Sequence, residues 1–223
     1  MATSIAVAPQ KQLEDPLAHL PCSNIVEYRK GQLIYNQDQP STSIFLVIDG
    51  KVKVSRLAAD GHQVVVDIYQ PDEFFGESAF LGLPHRAEQA CALDDSRLMT
   101  WTAAEIEDIA MKRPRLAVAL LQILTQRILD FTYRIEGFSV DNISRRLARS
   151  LLRFSDRLGT PEDDGSVRMA PFTHELLAQY VGTSREIVTH YMNQFRRRGY
   201  LRYSRKGITL YRDALNGWLM GAA

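Results

Sequence analysis

Residues 182–201 read GTSREIVTHYMNQFRRRGYL, with Ser184, Arg185 and Glu186 opening an amphipathic segment and Arg196, Arg197 and Arg198 closing it. A guanidinium can donate two parallel hydrogen bonds to guanine O6 and N7, and a carboxylate can accept from cytosine N4, each pairing being worth about 1–3 kcal/mol of discrimination. An arginine cluster can neutralise phosphates without reading sequence. Ile187, Val188, Tyr191, Met192 and Phe195 form one apolar stripe, while Arg185, Glu186, Thr189, His190 and Asn193 form the opposite face. A solvated surface helix explains the arginines almost as well. It explains Ser-Arg-Glu at a capped helix start poorly, so a helix that reads base edges with its first turn is the better reading.

Such a helix needs a partner and a stop. Thr173 caps a preceding helix with Glu175 close behind, Gly182 ends that helix where a left-handed residue is needed, and Thr183 or Ser184 caps the next. Upstream, NISRRLARSLLRFSDRL is helical and GTPEDDGSVRM is a polar loop. Downstream, GYLRYSRKGITLYR reads as a hairpin turned at Lys206-Gly207, placing Arg202, Arg205 and Lys206 on a wing beside phosphate. Three helices and then a hairpin predict a winged helix-turn-helix over about 140–223.

Two such domains can be brought together by the segment before them. Thr102 and Glu105 form a capping box, and Pro114 suits the first turn of a long helix running to about Ser139. Ala117, Leu121, Leu124, Ile128, Phe131, Ile135 and Phe138 alternate spacings of four and three, the seam of a two-stranded coiled coil. Leu120, Ile123 and Leu129 lie beside the seam and face the preceding domain. A merely buried core helix is the competing reading; the regular spacing and the length favour a dimerisation helix over about 111–139.

Residues 25–101 are strand-like. Short apolar runs are broken by Lys30-Gly31, Asp49-Gly50 and Asp60-Gly61, and alternation shows in Val52, Val54 and in Val64, Val66, Ile68. This predicts an antiparallel jelly roll or β-roll over about 13–110, with Asp-Gly hairpins. PDEFFGESAFLGLPHRA (71–87) interrupts it as an elaborated loop. The whole is α+β.

Charge divides with the domains. Residues 142–223 hold 14 Arg and Lys against 7 Asp and Glu, and residues 1–141 hold 13 against 19. A basic module that meets a polyanion fits this, although uneven surface charge without purpose also would. Two cysteines are too few for a disulfide framework or an iron–sulfur cluster, and fit a reducing cytosol. The start, MATSIAVAPQKQ, lacks the pattern of a secretion signal, and no run is long enough to span a membrane. The five histidines are scattered, so no metal centre is predicted; haem ligation is unmotivated, and no nucleophile sits beside a base. An enzyme is not expected.

VGTSREIV followed by FRRRGYL resembles the recognition region of the CRP/FNR transcription regulators, whose usual pattern is Ser-Arg-Glu-Thr-Val-x-Arg, and the likeness extends over roughly residues 13–212. The resemblance implies a homodimer on palindromic DNA with TGTGA-like half-sites, Arg185 on a guanine and Glu186 on the neighbouring cytosine. Thr173, Ser184, Thr189, His190, Arg196, Arg197 and Arg205 complete the DNA-facing set. The third family contact is usually arginine; His190 can donate to guanine N7 or phosphate but lacks the fork. By the same analogy, exposed loops such as 155–167 meet RNA polymerase. In this family, and in kinase regulatory subunits, the inserted loop is a phosphate-binding cassette for cyclic nucleotides: Gly-Glu, a short helix, then Arg. Here that implies Gly76, Glu77, Ser78, Arg86 and Ala87 as ligand contacts, with Phe131 and Thr132 where a well-known bacterial receptor has its adenine-facing Thr-Ser. Ala87 replaces the Ser or Thr of bacterial cAMP receptors but matches the kinase cassettes, and Glu88 adds a second carboxylate near the phosphate. Other members answer redox, gas or metabolite signals, so cAMP, another cyclic nucleotide, a non-nucleotide signal and an effector-independent regulator all stay open, with a nucleotide-binding module that has no DNA role as the remoter alternative.

Overall fold

The computed structural model describes residues 14–221. The stretch read above for a secretion signal, residue 13 and residues 222–223 lie outside the described residues. The N-terminal domain is built from β1 (Asn24–Tyr28), β2 (Leu33–Tyr35), β3 (Ser43–Asp49), β4 (Val52–Leu57), β5 (Gln63–Tyr69), β6 (Phe74–Phe75), β7 (Gln89–Ala92) and β8 (Ser96–Thr102). They form two antiparallel four-stranded sheets, ordered β1-β8-β3-β6 and β2-β7-β4-β5. Between them lies an aromatic core in which Phe45 and Phe75 stack at 5.1 Å, with Tyr35 and Tyr69 alongside.

Two strand expectations need correction. Asp60-Gly61 does turn the β4–β5 hairpin, but Asp49-Gly50 turns a corner from β3 in one sheet to β4 in the other. The positive φ of a Gly serves either turn. In β5 the alternation breaks at a bulge, where Val54 faces Asp67 but Ser55 faces Val65. Val64 is therefore exposed while Val65 is fully buried.

The Thr102–Glu105 capping box starts α1 (Ala103–Lys112), and after a break at Arg113, Pro114 opens the 27-residue α2 (Pro114–Val140). Leu116 and Ala119 of α2 are buried, and Leu120 and Ile123 pack on the barrel cluster. Leu129 does not join them; it is exposed. Among the seam residues Leu121, Ile128 and Ile135 are each 63–65% exposed, and Phe138 is 45% exposed.

The C-terminal domain contains α3 (Ile143–Leu158), β9 (Thr160–Pro161), β10 (Val167–Met169), α4 (His174–Val181), α5 (Arg185–Arg197), β11 (Leu201–Ser204), β12 (Gly207–Leu210) and α6 (Arg212–Gly221). The wing turns at Arg205-Lys206, one residue earlier than the sequence suggested, and Gly207 already belongs to β12. The polar loop carries the small β9–β10 hairpin, and α6, which the sequence reading missed, packs Leu215 and Leu219 into the domain core. That core is continuous with Val65 and Ile68 of β5. The two domains therefore touch directly as well as through α2. Among the described residues no helix is long and apolar enough to cross a membrane.

Candidate nucleic-acid interface and effector cradle

The α4–α5 unit is set by its caps. Thr173 Oγ1 accepts from the Leu176 amide at 3.1 Å, Gly182 closes α4 at φ +75°, and Ser184 Oγ accepts from the Ile187 amide at 3.4 Å. Val188, Met192 and Phe195 bury one side of α5, which leaves Arg185, Glu186 and His190 exposed on the other. Backbone amide bonding and the Ser184 hydroxyl hold the Glu186 carboxyl below its usual range, so it is an acceptor at neutral pH.

Not every predicted DNA-facing group is free. The Thr189 hydroxyl donates to the Arg185 carbonyl at 2.8 Å and lies 2.7 Å from His174 Nδ1. Asn193 donates to the Thr189 carbonyl and accepts from the Tyr203 hydroxyl, which ties α5 to the wing. Burial, and then the Arg185 charge, lower the His174 pKa, which favours the neutral ring at that junction. Arg196 lies 5.4 Å over the Tyr203 ring, while Arg197, Arg198, Arg202 and Arg205 are exposed.

The basic excess has a second destination. Arg145 and Arg149 reach Asp141 at 3.0 and 2.7 Å, Arg153 and Arg157 reach Asp67, and Arg212 reaches Asp156. These arginines are spent on internal pairing, and those of α5 and the wing remain for a polyanion. A groove of about 470 Å³ opens between the end of α2 and helices α3 and α6, away from the predicted cassette. Its Asp141 is held by Arg145 and Arg149 from its own walls.

The cassette folds as a 3-10 turn, Glu77–Leu81, behind Gly76 at φ +85°. A Cβ on Gly76 would stand 3.0 Å from the Ser43 carbonyl oxygen and 3.4 Å from Arg86 Nη1, so glycine lets the loop close over the arginine. Arg86 is only 5% exposed. Its Nη2 donates to the Ser43 carbonyl at 2.8 Å and its guanidinium lies 3.8 Å over the Tyr35 ring. Arg86 Nη1 and the Tyr35 hydroxyl are buried without a partner. Two orphaned donors side by side suit the oxygens of an anion, so the cradle fits a phosphate-bearing group.

Glu77 is held by α2, where Arg127 Nη1 donates to its Oε1 at 2.5 Å and Nη2 to the Phe74 carbonyl at 2.6 Å. Arg127 was missed: a single arginine among apolar helix residues carries no sequence signal. Ser78 Oγ lies 2.9 Å from Ser41 Oγ and donates to Glu88 at 3.0 Å. Gly76, Glu77, Ser78 and Arg86 are thus brought together, with Ala87 next to them in the chain. Phe131 and Thr132 are not: Thr132 bonds back to the Ile128 carbonyl, and the Phe131 ring lies 5.9 Å from the Arg134 guanidinium.

Residues 25–113 match the family described as cyclic nucleotide-binding domain, and residues 145–216 that described as Crp-like helix-turn-helix domain. The transcriptional regulator SdrP of Thermus thermophilus is 30% identical over 179 residues, 79% of this chain and 84% of its own. A Mycobacterium tuberculosis protein named as a CRP-like cAMP-activated global transcriptional regulator is 27% identical over 83% of each chain. A solved CRP/FNR-family regulator from T. thermophilus aligns at a TM-score of 0.70 and 27% identity, covering 88% of this chain and 98% of its own. FixK2 of Bradyrhizobium japonicum shares the fold, at a TM-score of 0.78 and 22% identity over 87% of this chain and 96% of its own.

Proposed function

The chain belongs to the CRP/FNR family of DNA-binding transcription regulators, and we propose that it works as a homodimer that reads a palindromic operator and answers a small anionic effector. It carries a cyclic nucleotide-binding domain and a Crp-like helix-turn-helix, and its relatives are regulators rather than enzymes. One observation carries the dimer: α2 leaves Leu121, Ile128 and Ile135 each more than 60% exposed along a single stripe. Pairing two such stripes removes them from water and sets two α5 helices in fixed relation.

In that dimer each α5 enters a major groove about 34 Å from the other. Arg185 takes a guanine and Glu186 the adjoining cytosine of a TGTGA-like half-site, and His190 donates to guanine N7 or phosphate. Arg196, Arg197 and Arg205 neutralise phosphates, and Thr173, Ser184 and Thr189 hold the helix pair in register as well as lying at its DNA-facing end.

The effector reading rests on the two orphaned donors, Arg86 Nη1 and the Tyr35 hydroxyl. Arg86 would hold the phosphate and Glu77 the ribose hydroxyl, and the name of the M. tuberculosis relative suggests cAMP. A ribose at Glu77 competes with Arg127, so binding is felt on α2 and then at the seam. An effector-independent regulator is the second reading, favoured because Arg86 is already engaged by Tyr35 and Ser43. Residues 155–158 belong to α3, so contact with RNA polymerase is proposed for the β9–β10 segment, residues 159–167, and action in the bacterial cytoplasm belongs to the same proposal.

The test is a gel shift on a palindrome of TGTGA half-sites with and without cAMP or cGMP, together with calorimetry of each nucleotide. A nucleotide-dependent shift supports the first reading. A shift without nucleotide heat supports the second, and no shift on any palindrome sinks both.

A further inference from the structure

Glu88 sets this cradle apart from a plain phosphate site. Its side chain is half-buried just before β7, where Oε1 accepts from Ser78 Oγ at 3.0 Å. The free donors of Arg86 and Tyr35 share this space. The other carboxylate, Glu77, is offset by Arg127, whereas among the described residues no cation forms an ion pair with Glu88. The charged and titratable groups that face it are Glu77 from the 3-10 turn, Arg86 from the loop, Arg56 from β4 and Tyr35 from β2. Burial lifts the Glu88 carboxyl above its usual range; the Ser78 bond works against that and Glu77 adds to it, while Arg86 and Arg56 oppose.

We propose that Glu88 is a specificity-determining residue of the cradle: an anionic group reaches Arg86 only together with a proton on Glu88, so cyclic-phosphate binding is proton-linked. An ionised Glu88 would face the phosphate as a like charge in a half-buried site, whereas a protonated one offers it an O–H donor. The inference rests on the cradle's reading as an anion site. It adds a selection: a ligand with a neutral or cationic group beside its anion binds without the proton.

The experiment is calorimetric titration of the full chain with cAMP at about pH 5.5, 6.5 and 7.5, repeated at neutral pH in buffers of different ionisation heat. The expected affinity rises as pH falls, by up to about tenfold per unit, with proton uptake on binding. Glu88→Gln keeps the shape without the charge; it should bind about tenfold more tightly at neutral pH and lose most of the slope. A slope that survives in Glu88→Gln would assign the linkage to another group and overturn the proposal. A flat wild-type profile without proton uptake would overturn it while leaving the cradle reading intact. No binding by either protein at any pH would overturn both. Proton uptake by the wild type decides the matter should Glu88→Gln not fold.

Discussion

The Asp67 carboxylate of β5 accepts from Arg157 Nη1 of α3 through both oxygens, at 2.8 and 2.9 Å, across the boundary between the N-terminal and DNA-binding domains. Asp67 is 2% exposed and takes a further bond from Arg153 at 3.3 Å, while Arg157 also grips Glu73. Nearby, Arg134 donates to the carbonyls of Val65, Val66 and Tyr180, and stacks 4.1 Å over the Tyr180 ring. Burial works against the Arg157 charge, and Asp67 and Glu73 outweigh it. Together with buried Val65 and Ile68, these bonds dock the DNA-binding domain on the barrel.

Asp67→Asn should therefore destabilise the protein by about 3 kcal/mol, toward the lower end for a broken buried pair, because Arg157 is partly exposed and keeps Glu73. Denaturant unfolding checks this, and loss of the dock should also appear as faster proteolysis between the domains. A variant as stable and as resistant as the parent would make the pair incidental.

Arg185→Ala should cost about 1–3 kcal/mol on the best operator and relax preference at one base pair in each half-site. Selection of binding sites from a random pool reads both effects. An unchanged preference would remove Arg185 from base recognition.

Arg197→Ala should instead weaken binding to all duplexes alike and reduce the salt slope by about one. Affinities measured across a salt series on matched and unmatched DNA separate this from the Arg185 case. A loss confined to one base would contradict the phosphate assignment.

Gly182→Ala places a Cβ at φ +75° and 2.9 Å from the Phe138 ring, where α2 meets the turn between α4 and α5. The left-handed backbone alone costs about 1–2 kcal/mol. Thermal unfolding should register that loss, and DNA affinity should fall with it, since Phe138 also ends the seam. A neutral substitution would mean the turn has room to rearrange.

Much of the DNA-reading unit was legible because its signals are local. The Thr173 and Ser184 caps, Gly182 and the 3.6-residue spacing of Val188, Met192 and Phe195 lie within a short stretch, and each specifies geometry directly. The Thr102–Glu105 box and the Pro114 start of the long α2 were legible for the same reason. Asp49-Gly50 was not, because a positive φ marks a corner between sheets as readily as a hairpin. Arg157 and Asp67 lie 90 residues apart, and Arg127 and Glu77 50 apart, so only the fold brings them together. The cassette stood in between: Gly76, Glu77 and Arg86 were noticed through family resemblance, but the burial of Arg86 against Tyr35 and the tether of Glu88 to Ser78 depend on how the barrel closes.

The central claim is that two copies join along the exposed α2 stripe and aim paired α5 helices at one operator. Sedimentation of the protein alone, and with a duplex carrying two half-sites one turn apart, tests it most directly. The account predicts a dimer that binds one duplex per two chains and a shift to monomers in Ile128→Asp. A single chain at working concentrations, binding the duplex no better than an unrelated one, would contradict it.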